Sequence, residues 1–391
     1  MELQLYLQPV SADLFPADAQ SVRRKLVNTI EVYRANGPFP DLDHAGLAII
    51  GVEEGRGNAD NAGCAKAPDA IRKAFYELYC HWPDIKIVDL GNIKAGHSIE
   101  DTYFAIKTVV GQLVRNNITT IILGGSQDLT FANYQAYENT GQLINIVAVD
   151  PAFDLGQDEE TLSAYSYLSK IIMHQPNYLF NYTNLGYQSY YIDADAVGLM
   201  NNMFFDVYRL GLVKSQPEET EPYVRNADML SFDITAVRAA DAPGNARPVP
   251  NGFTGEEACR ICRYAGMSDK LSAIGFYEFN PSFDRQEITA GLIGQMIWYF
   301  IDGFAHRLND LPTEGSRDFA RYNVRIEGNE DDVVFLRSKK TDRWWIDLSS
   351  GRKDRKKYER HYFVPCSQKD YESALQDDIP DRWWQFYQKL M

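Results

Sequence analysis

Cysteine and histidine are scarce in this sequence, with five and six residues among 391. Cys64, Cys80, Cys259, Cys262 and Cys366 give no disulfide framework for a chain of this length, and an odd number leaves one unpaired, so a reducing, cytoplasmic setting is expected. A surplus of positive charge is also lacking. Thirty-nine Lys and Arg stand against 54 Asp and Glu, a net charge of −15, which argues against nucleic acid as the main partner. No stretch approaches 18 uninterrupted apolar residues, and the opening MELQLYLQPV has no basic-then-apolar pattern. Neither a membrane span nor export is therefore expected. What is present is 45% hydrophobic and 24% charged residues, the balance of a packed globular protein rather than a disordered one.

Between about residues 45 and 310, short apolar runs alternate with longer stretches of helical periodicity. Strands are predicted at 46–52, 85–90, 119–123, 144–150, 181–185, 206–210, 229–234 and 271–279. Several are apolar on both faces, as parallel strands covered on both sides should be. Helices are predicted at 67–78, 99–116 with Ser98 as N-cap, 129–138, 161–173, 255–267 and 286–307, with a short one over 193–203. The alternation alone fits an open doubly wound sheet or a closed barrel. Either way, chemistry belongs in the loops after the strands. Residues 1–44 read as an N-terminal extension with a helical segment at 17–35, and 45–311 as the α/β domain. Residues 312–391 read as a C-terminal extension with short strands at 321–326, 333–337 and 344–346, a basic run GRKDRKKYER (351–360) and an aromatic tail DRWWQFYQKLM.

Three strand ends carry polar clusters. Gly124-Gly125-Ser126-Gln127-Asp128 allows a tight turn into a helix, but it is neither a dinucleotide nor a Walker loop. VAVDPAFDLG places Asp150 and Asp154 at the mouth of the sheet, and MLSFDIT adds Asp233. Three carboxylates there suit a hard divalent cation through oxygen ligands, and equally suit helix capping and turn hydrogen bonds.

At these positions the chain resembles the ureohydrolase superfamily of arginases, agmatinases and formimidoylglutamases. Six blocks carry the resemblance, in order. They are GVEEGRGNADNAGCAKAPDAIRKAFYEL (51–78), with Pro68, Ile71 and Arg72 in a P-x-x-I-R entry, then GGSQD for GGDHS, DPAFD for DAHxD, SFDIT for SxDxD, APGNARPVPNGFTGEEA (242–258), and GFYEFNP (275–281) for an E-x-N-P strand end. The resemblance implies a three-layer α/β/α fold with a mainly parallel eight-stranded sheet. It also implies two Mn ions held by two histidines and four aspartates, a hydrolysis of linear amidines, and an oligomer.

The departures fall on the implied metal ligands. Gln127 and Ala152 stand at the histidine positions and Thr235 at the last aspartate position, leaving Asp150, Asp154 and Asp233 as residual ligands. A two-metal site lowers the pKa of bridging water and clamps the electrophile, and each ion needs its ligands. Gln and Thr offer only neutral oxygens, and Ala offers nothing. The expectation is a pseudoenzyme with no cofactor, or at most a single Mn, Mg or Ca ion. Glu278, which the resemblance places against the cationic end of a substrate, keeps open a small amidine-type ligand. Alternatively, Glu278 bonds backbone amides or an arginine such as Arg56 or Arg247. A divergent C–N hydrolase using one metal or none is the competing reading, with His174 as the weak candidate for proton transfer. A third is a scaffold presenting its extensions to a protein partner or to copies of itself. Cys259-x-x-Cys262 lacks a second pair and sits past the first helical turn, which favours packing over zinc or redox chemistry. The basic run reads as a solvated linker, and the aromatic tail as a segment docked on its own body.

Overall fold

In a computed structural model, residues 3–15, 24–156, 162–313, 315–327, 332–349 and 356–390 are described. All eight expected strands form, as β2 (Leu47–Glu53), β3 (Ile87–Lys94), β4 (Thr119–Leu123), β5 (Ile144–Val149), β6 (Leu179–Tyr187), β7 (Asp206–Arg209), β8 (Met229–Asp233) and β9 (Ala273–Tyr277). A ninth strand, β1 (Glu31–Val32), joins the edge beside β3. The order is β1-β3-β2-β4-β9-β8-β5-β6-β7 and every pairing is parallel, so the sheet is open and not a barrel.

The helix expected at 17–35 does not form over residues 24–35. Residues 17–23 lie outside the described residues, and beyond them the chain makes a single 3-10 turn, Leu26–Asn28, before β1. The apolar spacing serves edge pairing instead. Leu26 and Ile30 are buried, and the Tyr33 amide donates to Asp89 O at 2.8 Å. Tertiary pairing at the sheet edge has overridden the helical pattern over residues 24–35.

Alternate residues of the central strands enter cores on opposite faces of the sheet. Ile50, Val52, Ile122 and Ile146 belong to one, and Leu47, Ile49, Ile121 and Val147 to the other. The covering helices are α1 (Ala67–Tyr76), α2 (Ile99–Arg115), α3 (Leu129–Gln135), α4 (Tyr167–Met173), α5 (Ala194–Asn202), α6 (Leu210–Ser215), α7 (Thr220–Arg225), α8 (Gly255–Gly266) and α9 (Ile288–Ala305). Capping boxes start two of them, Ser98 with Asp101 on α2 and Thr254 with Glu257 on α8. By length and composition α9 is the one helix among the described residues apolar enough to cross a membrane, but it is a core helix. Its Ile293, Met296, Ile297, Phe300 and Ile301 are fully buried. The P-x-x-I-R entry has a packing explanation. Pro68 sits in the first turn of α1, Ile71 is buried, and buried Arg72 forks onto Asp89 with bonds of 2.8 and 2.9 Å.

After α9 the chain builds an antiparallel sheet in sequence order, β10 (Phe319–Val324), β11 (Val333–Ser338), β12 (Trp344–Asp347) and β13 (Phe363–Cys366), followed by α10 (Gln368–Ala374) and α11 (Asp381–Leu390). The aromatic tail lies on α11, where Trp383 and Phe386 join the same core as Phe180 of β6. Residues 351–355 of the basic run lie outside the described residues. At its end, however, Arg360 is no solvated linker residue. Its Nη2 donates to the buried Asp228 Oδ1 at 2.6 Å. Arg225 of α7 is covered in the same way, with Trp345 over its guanidinium and bonds of 3.2 Å to Trp344 O and Cys366 O. Asp228 precedes β8, and Leu143, whose main-chain oxygen meets His361 Nε2 at 3.1 Å, precedes β5, so these contacts place the C-terminal segment at the amino ends of those strands. The opposite ends are left for the site.

Candidate functional site

Gln127 follows β4, Glu278 follows β9, Asp233 ends β8 and Asp150 follows β5. These four strands are consecutive across the sheet, so residues far apart in sequence meet at neighbouring carboxyl ends. All four, with Asp154, Ala152 and Thr235, line one cavity of about 390 Å³. Asn58, Asn61 and Asn245 add to its polar lining, Ala164, Pro248 and Val249 supply an apolar wall, and Asp60, Tyr165, Tyr191 and Arg247 also line it.

Local backbone makes this convergence possible. A Cβ on Gly125 would lie 1.6 Å from Glu54 O, so only glycine lets the β4 turn pass so near the loop after β2. Beyond that turn the Gln127 amide donates to Glu278 Oε1 at 2.9 Å. Glu278 itself is left-handed, with φ of 66°, and so is Asp154, with φ of 51°. Non-glycine residues seldom adopt that conformation, and here it occurs at two acids of one cavity.

Glu278 is held by the body of the protein. Besides Gln127 N, Asn58 Nδ2 and Asn61 Nδ2 each donate to its Oε2 at 2.8 Å. Neither arginine expected as an alternative partner reaches it. Arg56 pairs with Glu54, and Arg247 pairs with Asp60 among exposed side chains. Asn58, Asn61 and Asn245 had not been singled out from the sequence, although the first two fall within the 51–78 block and Asn245 within 242–258.

The aspartates are held more loosely. Asp150 Oδ1 accepts from Ala152 N, and Asp233 Oδ1 from Thr235 N, both at 2.7 Å. Asp150 Oδ2 is buried and receives no donor. Gln127 Nε2 donates to Ser231 Oγ at 2.9 Å, which leaves Gln127 Oε1 buried without a partner. Burial, with Asp154 alongside, pushes the Asp150 carboxyl well above its ordinary range. Burial raises Asp154 to about 8 against a bond with Asp150, while Asp233 and Glu278 add to the rise. Asp233 is raised by burial and by Asp150, and Glu278 by burial to about 7, opposed by Asn61 and the Gln127 amide.

His174 lies apart from this lining. It caps the end of α4, edge-on to Phe131, Tyr134 and Tyr178, and burial lowers its pKa. Among the described residues, no histidine lines the cavity. Cys259 and Cys262 are free and buried, with thiols pushed up to about 12 and well above the ordinary value.

With this geometry in place, comparison with known proteins identifies the family. Residues 45–302 match the arginase family. The chain belongs to that family. Formimidoylglutamases of Staphylococcus aureus are similar to it. That of strain MRSA252 is 25% identical over 272 residues, 66% of this chain and 86% of the relative, and that of strain JH9 is 26% identical over 275 residues with the same coverage. A Trypanosoma cruzi formiminoglutamase solved with Mn2+2 superposes on 73% of this chain and 99% of its own, with a TM-score of 0.65 and 18% identity. The arginase of Bacillus subtilis superposes on 65% and 98%, with 0.56 and 18%.

Set against the arginase-family pattern of two imidazoles and four carboxylates, the donors here do not fit an ion pair. Gln127, Ala152 and Thr235 supply no charge and no ring nitrogen. Among the described residues, no three His, Cys, Asp or Glu side chains converge closely enough to hold one ion. The unpartnered acceptors Asp150 Oδ2 and Gln127 Oε1 are oxygens, which suit a hard cation or an N–H donor.

Proposed function

We propose that this arginase-family chain uses its cavity to bind a small cationic ligand and does not run the two-manganese hydrolysis of its family pattern. The observation carrying this reading is the cavity floor. It keeps Asp150, Asp154, Asp233 and Glu278 but has Gln127, Ala152 and Thr235 where metal ligands would stand. Two-metal hydrolysis depends on a bridging water acidified by both ions, and this donor set gives neither ion its ligands. Should a divalent ion bind, Asp150, Asp154 and Asp233 would have to draw together to hold it, through oxygen.

The floor has open acceptors and acids that repel one another, so a cation is the ligand that would relieve it. The C-terminal segment contacts the amino ends of the strands, so we assign partner or self-association contacts to that end, leaving the cavity accessible.

The test loads purified protein with excess Mn, desalts it and counts metal. Retention below about one ion per chain is expected, and roughly two retained ions would overturn the reading. A panel of guanidino and formimino compounds should release no urea, formamide or ammonia. Release that Asp154→Ala abolishes would establish a hydrolase instead.

A further inference from the structure

The acids of the floor share one cavity with two buried oxygens, on Asp150 and Gln127, that have no donor. A ligand carrying several N–H groups would satisfy them. Which molecule depends on the acceptors still open. A planar amidinium is best met by a carboxylate with both oxygens free and coplanar with the fork. Glu278 does not offer that. Its Oε2 already accepts from Asn58 and Asn61, and its Oε1 accepts from the Gln127 amide. With about four acceptor directions on a carboxylate, one is left, and it lies beside an amide.

The open acceptors belong to different side chains. Asp150 Oδ2 and Gln127 Oε1 are buried without a donor, and both residues are 1% exposed. The Asp154 carboxyl, bonded to Asp150, lines the same cavity. Open acceptors on separate side chains suit the diverging N–H bonds of an alkylammonium better than a planar fork. Above them, Ala152, Ala164, Pro248 and Val249 offer an apolar wall for an alkyl stem.

We infer that the cavity takes a primary alkylammonium, its –NH3+ seated among Asp150 Oδ2, Gln127 Oε1 and Asp154 in the place the family pattern gives to metal. The inference rests on the ligand-binding reading above and names the ligand class for that site.

Calorimetric titration in EDTA-containing buffer, with n-butylamine and n-butylguanidine as probes, tests it. Butylammonium should bind at least about tenfold more tightly than butylguanidinium, the difference one well-made charge-assisted hydrogen bond produces. Asp150→Asn and Gln127→Leu should each weaken the amine about tenfold or more, with thermal melts showing that the variants fold. Butylguanidinium binding as tightly as the amine, or tighter, overturns the ammonium assignment and leaves the ligand-binding reading standing. Failure of both probes to bind wild-type protein overturns both.

Discussion

Asn61 grips Glu278 twice, donating from the same Nδ2 to the side-chain Oε2 at 2.8 Å and to the main-chain oxygen at 2.9 Å. The two residues are 217 positions apart in the chain. The pair ties the loop after β2 to the end of β9 and fixes a left-handed glutamate at the cavity floor. Asn61 Oδ1 meanwhile accepts from Asn280 Nδ2 and Ala246 N, so its amide is used on both ends.

Replacing Asn61 by Ala should therefore destabilise the protein by about 1–3 kcal/mol, the cost of leaving buried polar partners unmet. Urea denaturation will measure it. A change within a few tenths of a kcal/mol would show that water replaces the amide fully and that the grip contributes little.

Restoring the metal donors tests the reading of the floor from the opposite direction. Gln127→His, Ala152→His and Thr235→Asp together re-create the family's ligand pattern on residues that already line one cavity. Manganese retained after desalting should rise from below one to roughly two ions per chain. If the triple variant folds and still retains none, lost ligands are not the reason for weak metal binding.

Arg72 and Asp89 form a fully buried pair, joined by the Tyr76 hydroxyl at 2.8 Å. Arg72→Met leaves Asp89 buried and uncompensated, and a loss of about 3–5 kcal/mol in unfolding free energy is expected. The double variant Arg72→Met/Asp89→Leu should recover much of it, since the penalty comes from the stranded charge. Equal destabilisation of single and double variants would place the cost in packing instead.

The junction at the amino ends of the strands should titrate in alkali. Burial lowers the Lys270 pKa from 10.5 to about 8, against the pull of Asp228. Below pH 8 the lysine is charged in both states and its burial cost is fully present. Between pH 8 and 10.5 the folded protein releases its proton first, the unfolded chain binds more protons, and stability rises with pH. The cost relieved is on the order of 3 kcal/mol. Urea midpoints of wild type and Lys270→Met from pH 7 to 10 should converge or cross as the wild type gains. A constant difference across that range would contradict the burial argument.

The strand and helix pattern of residues 45–310 was legible because parallel strands covered on both faces are continuous apolar runs, and capping residues such as Ser98 and Thr254 mark helix starts. The nine-strand count was not legible. Glu31–Val32 is a strand only because β3 offers it a free edge. That Gln127, Ala152 and Thr235 stand at the motif positions was readable from residue types, with no geometry needed.

Sequence alone determined the fold family and which residue types stand at the motif positions of the floor, since both follow from which residues occupy which places. Only the tertiary structure decided that Glu278 is taken by Asn58, Asn61 and a main-chain amide, that Arg56 and Arg247 point to other acids, and that the C-terminal segment packs away from the cavity. The bonds to Glu278 reach across 151 to 220 residues of chain. Hydrogen bonds over such separations depend on the sheet order that brings strand ends together, and no local spacing encodes that order.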